Sequence, residues 1–168
     1  GLDEGVRGLR IAWSPRLGSV TKIDPEVEAA AAQAAAVFRD LGAIVEEADP
    51  DLAAADATIR EIWGAVSASV VGAIPARQHP KMDPGFLRIA ESGRGYTVTD
   101  YLDAYSRRSN LANAMARFHA RYDLLLTPQM PVPALPAGKE NPGEGDDGDH
   151  WVERSPYTYP FNLTPQPA

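Results

Sequence analysis

The sequence predicts an α/β fold, in which helices flank a β-sheet. Residues 9–13 alternate in the manner of a β-strand, and a Ser-Pro pair stops the run. Apolar residues then recur at three- and four-residue steps from Val27 to Leu41, as they do along one face of a helix. A second short strand follows at residues 43–47. A strand, a helix and a strand in this order form the βαβ pattern, so we expect the two strands to lie parallel in one sheet.

The first helix carries its own start and stop signals. Asp24 suits the N-cap, Pro25 suits the first helical position, and Glu26 places a carboxylate in the first turn, where the helix dipole favours acids. Gly42 suits the left-handed residue that follows a helix end. These signals predict a helix that begins at Pro25 and ends just before Gly42.

The middle of the chain predicts a long helix and a proline-rich connector. Residues 52 to about 74 are rich in alanine, which favours helix. Pro75, Pro80 and Pro84 then interrupt the chain and leave room for a short helix around residues 86–91.

Another long helix and a third strand come next. Thr99 is the predicted N-cap of this helix, with Asp100 in its first turn. Residues 123–127 are apolar on both faces, which predicts a strand in the centre of the sheet.

The last part of the chain predicts irregular structure. Residues 139–150 contain no apolar residue and predict an exposed acidic loop. Residues 151–168 are rich in proline and aromatic side chains, so we expect an irregular segment that packs on the rest of the protein.

Composition excludes several classes of protein. The 168 residues suffice for one domain with a hydrophobic core, and the formal net charge of -7 disfavours a nucleic-acid-binding protein, which would need a basic stripe. No apolar run is long enough to predict a membrane span. Cysteine is absent, which excludes disulfides and thiolate chemistry, and we expect a cytoplasmic protein.

The two ends of the sequence favour a piece of a longer protein. The chain begins at Gly1 without an initiator methionine, and it closes on Gln166-Pro167-Ala168 without a terminating signal.

No nucleophile stands out. The G-x-S-x-G motif is missing, whereas Ser19 and Lys22 match S-x-x-K, in which a lysine activates a serine one helical turn away. Because the helix is predicted to begin only at Pro25, this pair falls in a loop and loses that spacing. Ser67 and Ser69 lie in the alanine-rich helix without a lysine or histidine at a useful spacing.

No metal or nucleotide site is predicted either. His79, His119 and His150 have no ligand spacing between them, and the carboxylates of Asp146, Asp147 and Asp149 lack the ligand order of a calcium-binding EF-hand loop. No glycine pattern matches a phosphate-binding loop.

Three stretches of the sequence match a known pattern in their order and spacing. The first is residues 9–15 with the helix start at 24–27 and the strand at 43–47. The second is Tyr101–Tyr105, then Arg108, then residues 122–128 and Pro131. The third is Ser155–Thr164. Together these stretches span nearly the whole chain and resemble the amidase-signature family of serine hydrolases. The resemblance implies a mixed sheet flanked by helices as part of the amidase-signature fold. The implied domain assignment is residues 1–168 as the C-terminal portion of an amidase domain.

The resemblance also implies which catalytic parts to look for. Enzymes of this family use a Ser–cis-Ser–Lys triad and a Gly/Ser-rich stretch that stabilises the oxyanion, and all of these parts lie upstream of the region matched here. The three lysines of this chain, Lys22, Lys81 and Lys139, do not stand where the family's lysine stands. We therefore assign no catalytic residue, and the parent enzyme is expected to need no metal and no organic cofactor.

Residue-by-residue transfer leaves three candidate substrate-binding residues. Arg108 is similar in spacing to an arginine that contacts substrate in some members, with an ion-paired or solvated arginine as the alternative. Thr127 and Pro128 resemble the end of a strand near the substrate pocket, with a simple strand stop as the alternative. Tyr157, Phe161 and Asn162, which also belong to the matched stretches, shape either the core or the pocket wall. At Pro165 the chain departs from the Gly or Gln common in the family, so the local backbone is expected to differ.

The sequence thus predicts the downstream portion of an amidase that hydrolyses a carbon–nitrogen amide bond and is inactive alone. Its partners would be the missing upstream half and a small amide substrate, and exposed apolar surface predicts aggregation or a homo-oligomer. A non-catalytic half-protein that binds another chain is the alternative, and a third hypothesis is an unrelated enzyme that uses Ser19 and Lys22.

Overall fold

The structure is a computed structural model that describes residues 4–138 and 155–167. Its elements in chain order are β1 (Arg10–Trp13), α1 (Pro25–Asp40), β2 (Ile44–Glu47), α2 (Ala55–Ala73), a 3-10 helix (Ala76–Lys81), α3 (Pro84–Gly93), α4 (Val98–His119), β3 (Leu124–Leu126) and α5 (Tyr159–Leu163). The predicted α/β class, with helices flanking a sheet, is confirmed. No helix of the described residues is long and apolar enough to cross a membrane.

The sheet places β1 between β2 and β3, and all three described strands run parallel. Arg10 lies opposite Ile44, and Ile11 lies opposite Leu124. The predicted parallel pairing of the first two strands is confirmed, because α1 supplies the crossover that parallel strands need.

The predicted central position of the third strand is wrong within the described residues. There β3 is an edge strand, and the side chain of Leu124 is 44% exposed. The central strand is β1, whose Ile11 and Ala12 are buried. A run of apolar residues reports how much of a strand is covered, but the order of strands depends on long-range pairing that the run does not encode.

Local signals set the ends of α1 as predicted. The Asp24 side chain accepts a hydrogen bond from the backbone N–H of Glu26 at 2.9 Å, which satisfies a helix-end donor. Gly42 follows the helix with φ = +92°, a conformation that glycine adopts without a steric penalty.

The start of α4 differs from the prediction. Its N-cap is Thr97, not Thr99, because Thr97 and Asp100 form a reciprocal capping box. The Thr97 hydroxyl accepts from the Asp100 N–H at 3.2 Å, and the Asp100 carboxylate accepts from the Thr97 N–H at 2.7 Å. The capping box satisfies two backbone donors at once, whereas a cap at Thr99 would lose this pairing.

The core lies between the loop after β1, helices α2 and α4, and the C-terminal segment. Its buried members are Leu17, Val20, Leu52, Ala55, Ile59, Leu111, Met115, Tyr157, Tyr159 and Leu163. The C-terminal aromatic segment therefore packs on the rest of the protein, as expected. It is less irregular than predicted, because residues 159–163 form the one-turn helix α5. The predicted acidic loop at 139–150 lies outside the described residues.

Helices α2 and α3 approach each other through two glycines. A Cβ atom added to Gly93 would lie 1.9 Å from the carbonyl oxygen of Gly64. Any side chain at Gly93 would therefore force the two helices apart, so this contact fixes how closely α3 packs on α2.

Candidate functional site

The sheet topology indicates where a ligand would bind. In open parallel sheets, ligands bind at the carboxyl ends of the strands, at the point where the chain connections leave in opposite directions. Here the chain passes from β1 to β2 on one side and later returns to β3 on the other side, so this switch point lies between β1 and β3. Ser14 follows β1 at this edge, and Thr127 follows β3.

Ser14 holds the three strand ends together. Its backbone N–H donates to the carbonyl of Leu126 at 2.9 Å, and its hydroxyl donates to the carboxylate of Asp49, beyond the end of β2, at 2.6 Å. The side chain has no exposed surface. Ser14 is therefore a structural residue, because a substrate cannot reach its hydroxyl.

Thr127 and Pro128 are adjacent to this network. The hydroxyl oxygen of Thr127 is enclosed, and it has no hydrogen-bond partner among the described residues. Pro128 is buried and lacks an N–H, so the backbone cannot continue the strand pairing there. Thr127 thus carries a polar group without a partner at the switch point, where a buried hydroxyl ordinarily has one.

The C-terminal segment anchors the loop after β1 through a hydrogen bond. The phenol of Tyr157 donates to the carbonyl of Pro15 at 2.8 Å. Tyr157 is buried, and burial raises the pKa of its phenol, so it stays a neutral donor at ordinary pH. Of the three residues predicted to shape either the core or the pocket wall, Tyr157 and Phe161 pack in or against the core, while Asn162 is exposed.

Arg108 lies in a second group, on the contact between α4 and α5. Its Nε donates to the carbonyl of Leu163 at 2.9 Å, and its guanidinium carbon lies 5.5 Å from the centre of the Tyr105 ring. Both contacts fix the direction of the side chain. They leave the two terminal nitrogens, Nη1 and Nη2, without a hydrogen bond to any described residue.

Two tyrosines extend this group along α4. The rings of Tyr101 and Tyr105 lie 5.0 Å apart, and the hydrogen bond that the Tyr101 phenol donates to Tyr105 raises the pKa of Tyr101. Tyr101, Tyr105 and Arg108 follow the four- and three-residue steps of one helix face. These three residues form a stripe on α4 that presents two phenols and one guanidinium together.

The predicted site residues lie on two different elements of the fold. Thr127 and Pro128 lie at the sheet edge, and Arg108 lies against α5. No hydrogen bond or ion pair links Arg108 to Thr127 within residues 4–138 and 155–167.

Sequence reasoning missed two polar groups of these surroundings. The carbonyl of Leu163 anchors Arg108 across 55 residues of sequence, which no local pattern encodes. Gln166 has both side-chain amide atoms enclosed without a partner in the described part of the chain. The helical spacing of Tyr101, Tyr105 and Arg108 was the signal that could have predicted the stripe.

The residues of the rival hypotheses are not arranged for catalysis. Ser19 and Lys22 are both exposed and lie before α1 begins, outside any helix. Ser67 is buried in α2, where its hydroxyl has no hydrogen-bond partner among the described residues, and Ser69 is exposed on the same helix.

The two described histidines, His79 and His119, each contact a backbone carbonyl. The Nε2 of His79 lies 2.9 Å from the carbonyl of Ile74, and the Nδ1 of His119 lies 3.2 Å from the carbonyl of Tyr122. Among the described residues, no three His, Asp or Glu side chains gather as metal ligands would. His150 and the acids of the 139–150 segment lie outside the described residues.

A family model described as Amidase matches residues 2–168. The chain belongs to the amidase family. This confirms the resemblance drawn from the three sequence stretches, and it associates the chain with amide hydrolysis at the level of the family.

An amidase from Pseudomonas putida is 33% identical over 142 residues, which are 83% of this chain and 30% of that protein. An acylamidase from Rhodococcus erythropolis is 30% identical over 167 residues, which are 97% of this chain and 35% of that protein.

Solved structures show the same fold in other proteins. A bacterial aryl acylamidase of the amidase-signature family superposes with a TM-score of 0.76 at 20% identity, over 97% of this chain and 36% of that chain. A 6-aminohexanoate cyclic dimer hydrolase, solved in complex with its substrate, superposes with a TM-score of 0.73 at 18% identity, over 96% of this chain and 37% of that chain. The chain thus spans between 30% and 37% of the length of each of these four proteins.

Proposed function

We propose that this amidase-family chain is the downstream portion of an enzyme that hydrolyses the carbon–nitrogen bond of a small amide. In this proposal it contributes sheet strands and one side of the substrate cleft, and it is inactive alone. The observation that carries the proposal is the match of 97% of this chain to only 35% of an acylamidase.

The arrangement of side chains supports the absence of activity in the isolated chain. Nucleophilic hydrolysis of an amide needs a hydroxyl within hydrogen-bond reach of a base. Ser14 is enclosed and bonded to Asp49, and Ser19 is not placed one helical turn from Lys22. The triad of the full enzyme would therefore come from the upstream portion.

The polar groups at the switch point and on α4 support a role in binding. The Thr127 hydroxyl is enclosed without a partner in the described residues, and Arg108 keeps two terminal nitrogens for an acceptor. A hydroxyl can donate to or accept from an amide, and a guanidinium donates to a carbonyl or carboxylate oxygen. These groups would bind and orient the substrate, while the nucleophile and its base act from the other side of the cleft.

The free side of β3 supports a physical junction with the upstream portion. Within the described residues only one edge of β3 is paired, and Leu124 is largely exposed. Unpaired strand edges readily accept another strand. A strand from the upstream portion would pair there and cover Leu124.

The test compares the isolated chain with the same chain joined to the upstream sequence of its gene. Both proteins are assayed on a panel of acyl anilides and simple aliphatic amides. We expect turnover by the joined protein and none above background by the isolated chain. Turnover by the isolated chain that disappears in Ser19→Ala would show instead that the chemistry lies in the Ser19–Lys22 pair.

Two variants of the joined protein test the binding residues. Arg108→Gln removes the charge and the terminal donors, and Thr127→Val removes the hydroxyl while keeping the shape. Each is expected to lower kcat/KM about 10-fold to 100-fold, the cost of a missing polar contact of about 1.5–3 kcal/mol. Arg117→Gln, on an exposed position of the same helix, is the matched control and should retain full activity.

The assay of the joined protein also distinguishes an enzyme from the non-catalytic alternative. A joined protein that binds the amides but never turns them over would favour a silent binding partner with an amidase fold. Unchanged kcat/KM in both Arg108→Gln and Thr127→Val would remove these two residues from the cleft, even if the joined protein is active.

A further inference from the structure

A groove lies beside the 3-10 helix, away from the sheet edge and the α4–α5 contact. It has a volume of about 490 Å³ and is lined by Ile74, Arg77, Gln78, Lys81 and Met82. Clefts that hold small molecules span about 300–1,000 Å³, so this groove has room for one. None of its five lining residues belongs to the two groups described above.

The groove carries two cations without a counterion. Arg77 and Lys81 are both exposed and stand four residues apart, and neither forms an ion pair with any described residue. Both side chains line the same groove, so an anion bound there would contact two positive charges.

Few acids lie near the groove in the sequence. The chain as a whole has a formal net charge of -7, yet residues 74–88 contain three basic side chains and a single acid, Asp83. That carboxylate accepts the Phe86 N–H at 2.8 Å as the N-cap of α3. The five residues that line the groove carry two positive charges and no negative charge, which favours an anion there.

The backbone of the groove is fixed before any ligand arrives. Pro75 precedes the 3-10 helix and Pro80 lies within it, and each ring restricts its φ angle. The His79 ring also contacts the carbonyl of Ile74 at 2.9 Å, which ties the 3-10 helix to the end of α2. A fixed frame lowers the entropy that binding would cost.

Two of the residues that line the groove are apolar. Ile74 and Met82 are half-buried and line the same space as the two cations. A methionine side chain adapts to apolar groups of different shape. The groove therefore offers both cationic and apolar contacts to a single ligand.

We propose that this groove binds a small amphiphilic carboxylate, a carboxylate group that carries an alkyl or aryl tail. The planar guanidinium of Arg77 matches the two oxygens of a carboxylate, and Lys81 adds a second positive charge. The Gln78 amide donates a further hydrogen bond, and the tail lies on Ile74 and Met82. This site is independent of the proposed amide hydrolysis.

The test is an NMR titration, with octanoate, of the protein in which this chain is joined to the upstream sequence of its gene, followed by backbone amide shifts. We expect saturable shifts confined to residues 74–82. The double variant R77Q/K81Q should weaken the octanoate Kd about fivefold to tenfold, the effect of losing two exposed charge contacts. The double variant K22Q/R117Q removes the same charge at exposed positions elsewhere and should keep the original Kd.

Further titrations of the unaltered joined protein measure the contributions of the carboxylate and of the alkyl tail to binding separately. Acetate has the charge without the tail, and 1-octanol has the tail without the charge, so each should bind at least fivefold more weakly than octanoate. Raising the salt concentration from about 0.05 M to about 0.5 M should also weaken octanoate binding, because exposed charges are screened.

Three results would overturn the proposal. They are an octanoate Kd that R77Q/K81Q leaves unchanged, binding of acetate or 1-octanol as tight as that of octanoate, and a Kd that does not respond to salt. The salt titration uses the unaltered joined protein, so the proposal stays testable even if R77Q/K81Q disturbs the fold. Inactivity of the joined protein on amides would bear only on the proposed enzyme function.

Discussion

Replacing Gly93 by alanine tests the closest helix contact in the structure. The added Cβ would lie 1.9 Å from the Gly64 carbonyl oxygen and 2.1 Å from its carbonyl carbon. Ordinary van der Waals contact begins near 3.4 Å. The two backbones would therefore have to separate by about 1.5 Å, and backbone atoms cannot rotate out of the way as a side chain can.

The expected cost follows from overpacking. Adding one methyl to a closely packed contact typically destabilises a protein by about 1–3 kcal/mol, and here the obstacle is backbone, so we expect the upper end. Alanine gains back up to about 1 kcal/mol of helix propensity over glycine, which makes the net loss about 2 kcal/mol. In a domain of this size the melting temperature should fall by about 2–4 °C for each kcal/mol.

The assay is urea unfolding of the chain at low micromolar concentration, followed by far-UV circular dichroism. Gly72→Ala is the matched control, since it lies in α2 and its added Cβ meets no atom within 4 Å. That variant should be as stable as the original chain or up to about 1 kcal/mol more stable. If Gly93→Ala unfolds at the same urea concentration as Gly72→Ala, the close approach of α2 and α3 is wrong.

Three further predictions concern the capping box, the Tyr157 contact and the exposed apolar surface. The hydrogen bonds from Thr97 lower the pKa of the Asp100 carboxyl, so its contribution to stability is complete above the ordinary pKa and is lost as the pH falls through the lowered value. Urea midpoints measured from about pH 6 down to about pH 2 should therefore show a shallower acid loss for Asp100→Asn, and identical pH profiles would contradict the capping box. Tyr157→Phe should cost about 0.5–1.5 kcal/mol by removing the donor to Pro15, whereas an unchanged urea midpoint would mean that the contact does not form in solution. The isolated chain, which exposes Val98 and Leu102 on α4, should sediment as oligomers at working concentration, and a monodisperse monomer in analytical ultracentrifugation would refute this.

The parts of the fold that the sequence predicted are those with local causes. Asp24 and Gly42 end α1 because each acts on backbone groups within a few residues of itself. The start of α4 was misplaced by two residues because two threonines compete for the cap, and only the reciprocal bond of Thr97 with Asp100 decides between them. The position of β3 in the sheet could not be predicted, because it depends on which strand pairs with β1 across more than 100 residues of sequence.

The candidate site likewise has features with local causes, which the sequence predicts, and features that depend on long-range contacts, which it does not. The stripe of Tyr101, Tyr105 and Arg108 is visible in the helical spacing, but the direction of the guanidinium depends on the Leu163 carbonyl, which only the folded chain brings near. The enclosure of the Thr127 hydroxyl likewise results from packing, since the position after a strand does not by itself decide whether a threonine is buried. Sequence reasoning therefore named the residues and could not supply their surroundings.

Enclosed polar atoms that have no partner among the described residues indicate where the upstream portion or the substrate would make contact. Folded proteins satisfy nearly all of their enclosed polar side chains, because an unbonded one costs about 1–3 kcal/mol. The Thr127 hydroxyl and the Gln166 amide are enclosed in the described part of this chain without a partner. Under the proposed function, these groups bond to the upstream portion or to substrate, so joining the two portions should satisfy them and stabilise the fold. Thr127→Val tests this directly, because removing an unbonded enclosed hydroxyl should stabilise the isolated chain by about 1–3 kcal/mol, whereas removing a bonded one should cost about 1–3 kcal/mol in the joined protein. An equal gain in stability in both proteins would mean that Thr127 bonds to nothing in the upstream portion.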